Sequence, residues 1–195
     1  MAIIKRSDGT LVFFHAVPLR DAELNEVTAW GTPTALVVGH DQHAIDAVPF
    51  AARLGLKTYG PASNAAKLRK RLDLTGTLAE LPPDPVVTFE EMDGTKTGDA
   101  VAIVRSQSGT SLLFSDCVQH SPAASMAWPF RLLGFGGGPK VAPLFRLLFM
   151  SDRSKLRDHL LRLADVPDLA RVIPFHGTIV DVAPAAALRR VAAGL

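Results

Sequence analysis

The sequence predicts a layered α/β fold, and three features indicate it. In the first third of the chain, short apolar runs rich in β-branched residues alternate with runs rich in alanine and leucine, which is the pattern of strands alternating with helices. The middle contains successive short strands separated by glycine-containing turns, as in an antiparallel meander. The last part returns to helices around one further strand. We therefore expect sheets that are covered by helices.

The first third begins with a predicted hairpin. Ile3 to Lys5 and Leu11 to His15 are apolar runs on either side of Ser7-Asp8-Gly9, and Asp-Gly between apolar runs is a strong hairpin signal. Glycine follows the next two predicted helices, where a helix commonly ends. The helices expected here span Asp21 to Trp30, Ala44 to Leu54 and Ala62 to Leu72, and the strands span Thr34 to Val38 and Lys57 to Tyr59.

The rest of the chain contains the meander and the closing helices. The meander has turns at Asp93-Gly94 and Ser108-Gly109, because such dipeptides mark turns between apolar runs. Its predicted strands are Val86 to Phe89, Ala100 to Val104 and Ser111 to Phe114. A helix over Ser154 to Leu163, a strand over Arg171 to Pro174 and a helix over Pro184 to Ala193 follow.

Length and composition predict one globular domain over residues 1–195. Hydrophobic residues make up 48% and charged residues 21% of the chain, which suits a packed core rather than a disordered chain. The formal net charge is only +2, so we expect no nucleic-acid partner. The longest runs without Asp, Glu, Lys or Arg have 14 residues, for example residues 117–130, and are too short to span a bilayer, so we expect no membrane segment. The single cysteine, Cys117, rules out an internal disulfide, and a cytoplasmic protein is the simplest interpretation.

Metal-binding residue types follow three of the predicted strands. His40 and His43 come directly after the strand that ends at Val38, Asp116 follows another strand, and His176 follows the last one. Ligand sites of α/β proteins lie beyond strand ends, so we expect these side chains to meet at one edge of the sheets. Two or three imidazoles with one carboxylate suit zinc, iron or manganese.

On these residues the chain resembles the metallo-β-lactamase superfamily of metal-dependent hydrolases, from about Leu11 to Gly177. The superfamily's His-x-His-x-Asp-His motif lies on residues 38–43, which read Val-Gly-His-Asp-Gln-His. Its Gly-His-Thr-Pro-Gly segment lies on residues 94–98, its strand-ending aspartate on Asp116 and its final His-Gly on His176-Gly177. The resemblance implies a metallo-β-lactamase-like αβ/βα four-layer sandwich of two mixed sheets with outer helices.

Three motif positions depart from the superfamily pattern. Val38 stands where the motif has its first histidine, Gln42 where it has its aspartate, and Thr95 where the central histidine lies. In the superfamily two metal ions share the site, and these departures leave the first ion only His40. The resemblance thus implies a reduced site with one divalent metal, for which we favour zinc over iron or manganese. This one metal occupies the position of the superfamily's second ion, and the ligands implied there are His43, Asp116 and His176. His40 would bind another ion weakly or position the substrate.

The resemblance implies a metal-dependent hydrolase of a small-molecule ester, thioester, lactone or phosphoester. Retention of four of the site residues favours this enzyme. The alternative is a non-catalytic relative that binds a ligand in the same pocket, with the metal site degenerate and no metal bound. The replacements at Val38, Gln42 and Thr95 favour that alternative. A third interpretation is an iron site with redox chemistry, which Gln42 disfavours.

The remaining histidines and the cysteine have weaker signals. His120 follows Asp116 by four residues, and we favour a loop residue over a site residue there. His15, near the end of an early strand, either lines the pocket or packs in the core. His159 lies in a basic helix and is expected at the surface, whereas Cys117 is expected to be a buried, unreactive thiol.

Large apolar residues cluster around a glycine-rich segment, residues 136–138. They are too numerous for a solvated loop, so they either cap the pocket or bury a homodimer interface, and we favour the dimer. The set is Met126, Trp128, Phe130, Leu132, Leu133, Phe135, Phe145, Leu148 and Phe149.

Overall fold

The structure is a computed structural model that describes residues 1–96, 98–122 and 136–195. The strands in these ranges are β1 (Ala2–Lys5), β2 (Thr10–Phe14), β3 (Thr32–Val37), β4 (Lys57–Gly60), β5 (Gly76–Thr77), β6 (Val87–Glu91), β7 (Ala100–Ser106), β8 (Gly109–Phe114) and β9 (Leu169–Pro174). The α-helices are α1 (Asp21–Trp30), α2 (Ala47–Leu54), α3 (Ala65–Leu68), α4 (Pro143–Leu148), α5 (Arg153–Ala164) and α6 (Pro184–Ala193).

The strands form two sheets, and both are mixed. The first has the order β1-β2-β3-β4-β5, in which β1 and β2 form the predicted antiparallel hairpin and the other neighbours are parallel. The second has the order β6-β7-β8-β9, with an antiparallel meander and a parallel β8–β9 pair. The parallel pairs direct the carboxyl ends of their strands to a common edge.

Alternating residues of the first sheet face two different apolar clusters. In β2, Val12 and Phe14 belong to the cluster shared with the second sheet, whereas Leu11 and Phe13 face α2 and α3. Successive side chains of a strand point to opposite faces, so a strand covered on both sides is apolar throughout. This explains why the early strands read as continuous apolar runs.

The second sheet has the same arrangement, with α5 and α6 on its outer face. Phe89, Ala102 and Leu113 face the first sheet, whereas Ile103 and Leu112 pack against the helices in the outer cluster. The layers therefore run helix, sheet, sheet, helix. This confirms the predicted αβ/βα four-layer sandwich of two mixed sheets.

Most predicted elements are present, with two shortened helices. Helices α1 and α6 have the predicted bounds. The helix expected from Ala44 begins at Ala47, because Asp41–Ala44 forms a 3₁₀ turn instead. The helix expected over residues 62–72 is reduced to a 3₁₀ turn and the four-residue α3.

The prediction that His159 lies at the surface is wrong. The residue is 4% exposed and lies one turn from Leu156 on the inner side of α5. Its Nδ1 is 3.0 Å from Asp93 Oδ2, and its Nε2 accepts from Arg162 at 3.0 Å. The basic residues around it face outward, while its own neighbours at helical spacing belong to the core.

No helix among the described residues is long and apolar enough to cross a bilayer.

Cys117 is fully buried as predicted, and burial, followed by the nearby Asp99 and Asp116 charges, raises the pKa of its thiol. The thiolate that would be reactive is therefore disfavoured.

Candidate metal centre

Three strand ends bring the predicted ligands together. Strand β3 leads into the 3₁₀ turn that carries His43, β8 ends two residues before Asp116, and β9 ends two residues before His176. Strand β3 belongs to one sheet, and the parallel pair β8–β9 belongs to the other. The site therefore lies where corresponding edges of the two sheets meet.

His43, Asp116 and His176 form a compact donor set. His43 Nε2 lies 2.8 Å from Asp116 Oδ2, and His176 Nε2 lies 3.4 Å from Asp116 Oδ1. One donor atom from each of the three residues falls within 4.8 Å of the other two. Asp116 thus occupies the centre, with one imidazole on each carboxylate oxygen.

The electrostatics of the centre keep Asp116 ionised. Burial alone would raise the pKa of this carboxyl, but hydrogen bonds with His176 and His43 outweigh burial and hold the pKa well below its usual range. The same contact acts in the other direction on His176, whose pKa the Asp116 carboxylate raises. The centre therefore presents a carboxylate at neutral pH, as a metal ligand must be.

The turn before α2 fixes the position of His43. His40 Nδ1 accepts a hydrogen bond from the backbone N–H of Gln42 at 3.2 Å, and the His43 N–H donates to the His40 carbonyl at 3.1 Å. The ring of His43 also packs edge-on against Phe175, with 4.8 Å between centroids. These contacts fix the position of His43, one of the predicted ligands.

His40 lies beside the donor set but is not part of it. Its ring centroid is 6.4 Å from that of His43, and its side chain is 2% exposed. Burial lowers the pKa of His40, which favours the neutral ring that can accept from Gln42. His40, a predicted metal ligand, thus lies near the centre, but its Nδ1 caps the 3₁₀ turn by accepting from the Gln42 N–H.

Val38 and Thr95 serve packing and hydrogen bonding. Val38 is fully buried in the apolar cluster under α2. Thr95 Oγ1 donates to the Met92 carbonyl at 2.9 Å and accepts from the Asp99 N–H at 3.3 Å. The positions that would serve a first metal ion thus contribute to the core and to a loop.

Asp99 supports the centre and was missed in the sequence. Its carboxyl group is fully buried and accepts backbone N–H groups of Ala100, Asp116 and Cys117. Burial, followed by repulsion from Asp116, raises the pKa of Asp99 to about 7. The sequence shows only an aspartate after a Thr-Gly pair, whereas the Asp116 N–H from which it accepts lies 17 residues away.

His15 packs beneath His43, which decides between the two predicted roles. Its ring is fully buried, 4.6 Å from the His43 ring and 4.5 Å from the Phe175 ring by centroid. Neither ring nitrogen has a hydrogen-bond partner among the described residues. Burial, followed by the neighbouring His43, lowers the pKa of His15 well below its ordinary value, so its ring is neutral.

A glycine is required directly after His176. Gly177 has φ +113°, and a Cβ placed on it would lie 1.9 Å from the carbonyl oxygen of His120. His120 hydrogen-bonds this segment through its backbone and also through Nδ1, which is 2.9 Å from the Thr178 carbonyl. His120 therefore acts as the predicted loop residue and positions the segment that carries His176.

A small pocket of about 180 Å³ opens onto the donor set. One part of its lining is polar and contains the three donor residues with amide side chains beside them. The other part is apolar and comes from α4 and its flanks. The lining residues are His40, Gln42, His43, Asp116, Gln119, Ala142, Leu144, Phe145, Phe149 and His176.

The predicted apolar set is only partly described. Phe145 and Phe149 line this pocket, and Leu148 is 49% exposed on α4. The members from Met126 to Phe135 lie outside the described residues. The homodimer interface therefore stays a prediction.

The donor set fits a divalent ion. Two imidazoles and one carboxylate are a known protein ligand set for catalytic zinc, which keeps one position for water or substrate. Tetrahedral coordination at about 2.0–2.2 Å separates ligand atoms by ~3.4 Å. The imidazoles lie 2.8 and 3.4 Å from different Asp116 oxygens, and the three donor atoms lie within 4.8 Å of one another, so coordination of an ion requires only small side-chain movements. No other such group occurs in the described ranges.

The fold is similar to that of solved metallo-β-lactamases. A metallo-β-lactamase from Pontibacter korlensis gives a TM-score of 0.63 at 12% identity, over 99% of this chain and 86% of that one. The DIM-1 metallo-β-lactamase gives 0.61 at 16% identity, over 98% and 85%. A metallo-β-lactamase from Hirschia baltica gives 0.56 at 14% identity, over 97% and 84%.

No protein-family model matches the chain, and no curated protein matches it. At such low identities the structural similarity shows the fold alone. The chain therefore has the metallo-β-lactamase fold, which confirms the resemblance inferred from the motif residues at the level of architecture.

Proposed function

We propose that this chain is a metal-dependent hydrolase of the metallo-β-lactamase superfamily with a one-metal site. The ion, with zinc favoured over iron or manganese, is held by His43, Asp116 and His176. The substrate is a small molecule with an ester, thioester, lactone or phosphoester bond. His40 holds the ligand turn and stands beside the position where substrate would enter.

The observation that carries this proposal is the meeting of three donors from three strand ends. Their donor atoms lie within 4.8 Å of one another, although His43 and His176 are far apart in the chain. Asp116 is ionised and supports one imidazole on each oxygen. Such convergence at a pocket is the arrangement expected of a functional site.

When bound, a divalent ion supplies a Lewis acid for the carbonyl or phosphoryl oxygen and lowers the pKa of water toward 7. The pocket residues of this chain would bind the substrate and orient it toward the ion. Gln42 and Gln119 line the pocket with amide groups that can hydrogen-bond a substrate oxygen. Gln42 cannot accept a proton as an aspartate could, so we assign no catalytic base to position 42.

The alternative is a non-catalytic relative that binds a ligand in the same pocket. The burial of Val38 in the apolar core and the bonding of Thr95 within its loop favour this alternative, because both positions are built for stability. A chain that keeps the fold but uses the first metal position for packing could still bind a ligand in the pocket. Metal-dependent turnover distinguishes the two functions.

We expect the zinc-loaded chain to hydrolyse at least one member of a panel containing an activated ester, a thioester, a lactone and a phosphoester. A chelator should abolish this activity, and His176→Ala should lower kcat/KM by about 100-fold or more, because a ligand is lost. Asp158→Ala, at an exposed position on α5, is the control and should retain activity. A chain that binds no zinc and hydrolyses no member of the panel would favour the non-catalytic alternative.

A further inference from the structure

We infer that the pocket accepts an uncharged carboxylic ester with a short apolar acyl group rather than a phosphoester or another anion. This inference rests on the proposed hydrolase and selects among its substrate classes. It follows from the pocket's apolar wall, its charge and its size, taken in turn.

The apolar wall is continuous and partly preformed. Phe145 is 4% exposed, and its ring lies 5.5 Å from that of Phe149 by centroid. Phe149 in turn meets the ring of His40 at 5.3 Å, so the apolar wall reaches the polar side of the pocket. Leu144 is 48% exposed and lines the same space. An acyl chain lying on this wall would cover apolar surface that water now contacts.

The charge of the lining disfavours an anion. None of the described residues that line the pocket is a lysine or arginine. A phosphate or carboxylate that leaves water needs a paired cation, and sites of phosphoryl transfer supply several. One divalent ion already shared with Asp116 leaves little positive charge for such a group.

The size of the pocket limits the acyl group. Its volume of about 180 Å³ is below the ~300–1,000 Å³ typical of sites for drug-sized ligands. A short chain of a few carbons fits this space, with the carbonyl directed to the polar side. The alcohol part of the ester would extend toward solvent.

The reaction requires only water as a second reactant. The oxygen of water bonds to the acyl carbon, and the bond from that carbon to the alcohol oxygen breaks with its electron pair on the alcohol oxygen. That oxygen takes up a proton, and the products are a carboxylic acid and an alcohol. An amide side chain near the carbonyl, such as Gln119, can donate to its oxygen.

Binding can be tested without turnover. Saturation-transfer NMR on the metal-free chain would compare methyl butyl ketone, an uncharged ester analogue, with butyl phosphate in the same buffer. We expect the ketone to bind and the phosphate not to bind. Leu144→Ser should weaken ketone binding about fivefold, since it removes apolar contact. Leu147→Ser is the matched control on the same helix, because Leu147 is 74% exposed and does not line the pocket.

Turnover separates this inference from the proposed hydrolase. With the zinc-loaded chain, we expect kcat/KM for p-nitrophenyl butyrate to exceed that for p-nitrophenyl phosphate by at least about tenfold, the factor that ~1.4 kcal/mol of preference gives. A preference for the phosphate, or stronger binding of butyl phosphate than of the ketone, would overturn the inference and leave the hydrolase standing. Ketone binding that depends on Leu144, without hydrolysis of either ester, would overturn the hydrolase and leave the ligand class of the pocket standing.

Discussion

Gly177→Ala is expected to destabilise the fold by about 3 kcal/mol or more and to weaken zinc binding at least tenfold. The residue has φ +113°, and a Cβ would lie 1.9 Å from the His120 carbonyl oxygen and 2.4 Å from its carbonyl carbon. Both are backbone atoms, so no side-chain rotation relieves the contact. A positive φ adds strain of its own, and movement of the segment would carry His176 away from Asp116.

Gly9→Ala provides the matched control for this prediction. Gly9 also has a positive φ, +84°, but nothing lies within 4 Å of the position that an added methyl carbon would take, so only the backbone strain of about 1 kcal/mol is expected. Urea unfolding gives the loss of unfolding free energy in each variant. The difference between the two losses is the cost of the steric contact at Gly177. Equal losses of stability, with unchanged zinc affinity for Gly177→Ala, would show that the close approach does not hold His176 in place.

Asp99→Ala is expected to cost about 3 kcal/mol of stability and to weaken zinc binding. The carboxyl group accepts the N–H groups of Ala100, Asp116 and Cys117 within the core. Each buried donor left unpaired costs roughly 1–3 kcal/mol. Two of these donors belong to the turn that directs Asp116 at the histidines, so the turn should relax as well. Asp158→Ala, at an exposed position on α5, is the control and should change stability little.

The stability contribution of Asp99 should also depend on pH in the metal-free chain. Burial raises the pKa of this carboxyl to about 7 from its ordinary value of 3.8. Between these values the folded state binds a proton that the unfolded state has lost. The contribution is therefore fully present below pH 3.8 and is lost as pH rises through about 7. Asp99→Asn removes this dependence, and parallel stability curves for the variant and the unchanged chain between pH 5 and 8 would contradict it.

The layers could be predicted because local patterns determine them. Strand β3 is apolar on both faces, as a strand covered on both sides must be, and α1 is followed by Gly31 and Pro33, which disfavour its continuation. The start of α2 could not be placed, because His40 caps a 3₁₀ turn there through its side chain. Alanine-rich composition alone predicts helix through that turn.

The meeting of His43, Asp116 and His176 could be predicted for the same reason, but the residues that support them could not. His43, Asp116 and His176 each follow an apolar run, so their positions at strand ends are local information. Asp99 and His15 act on residues distant in the chain, through a buried carboxyl and through ring packing. No periodicity or motif reports contacts of this kind.

The metal content of the untagged chain tests the central claim most directly. We predict about one zinc, iron or manganese ion per chain by elemental analysis, because the three-donor set can hold one ion. His43→Ala and His176→Ala should each lose that ion, whereas Asp158→Ala, at an exposed position on α5, should keep it. A folded chain that stays metal-free after incubation with zinc, with an unchanged melting temperature, would contradict the one-metal site and the hydrolase built on it.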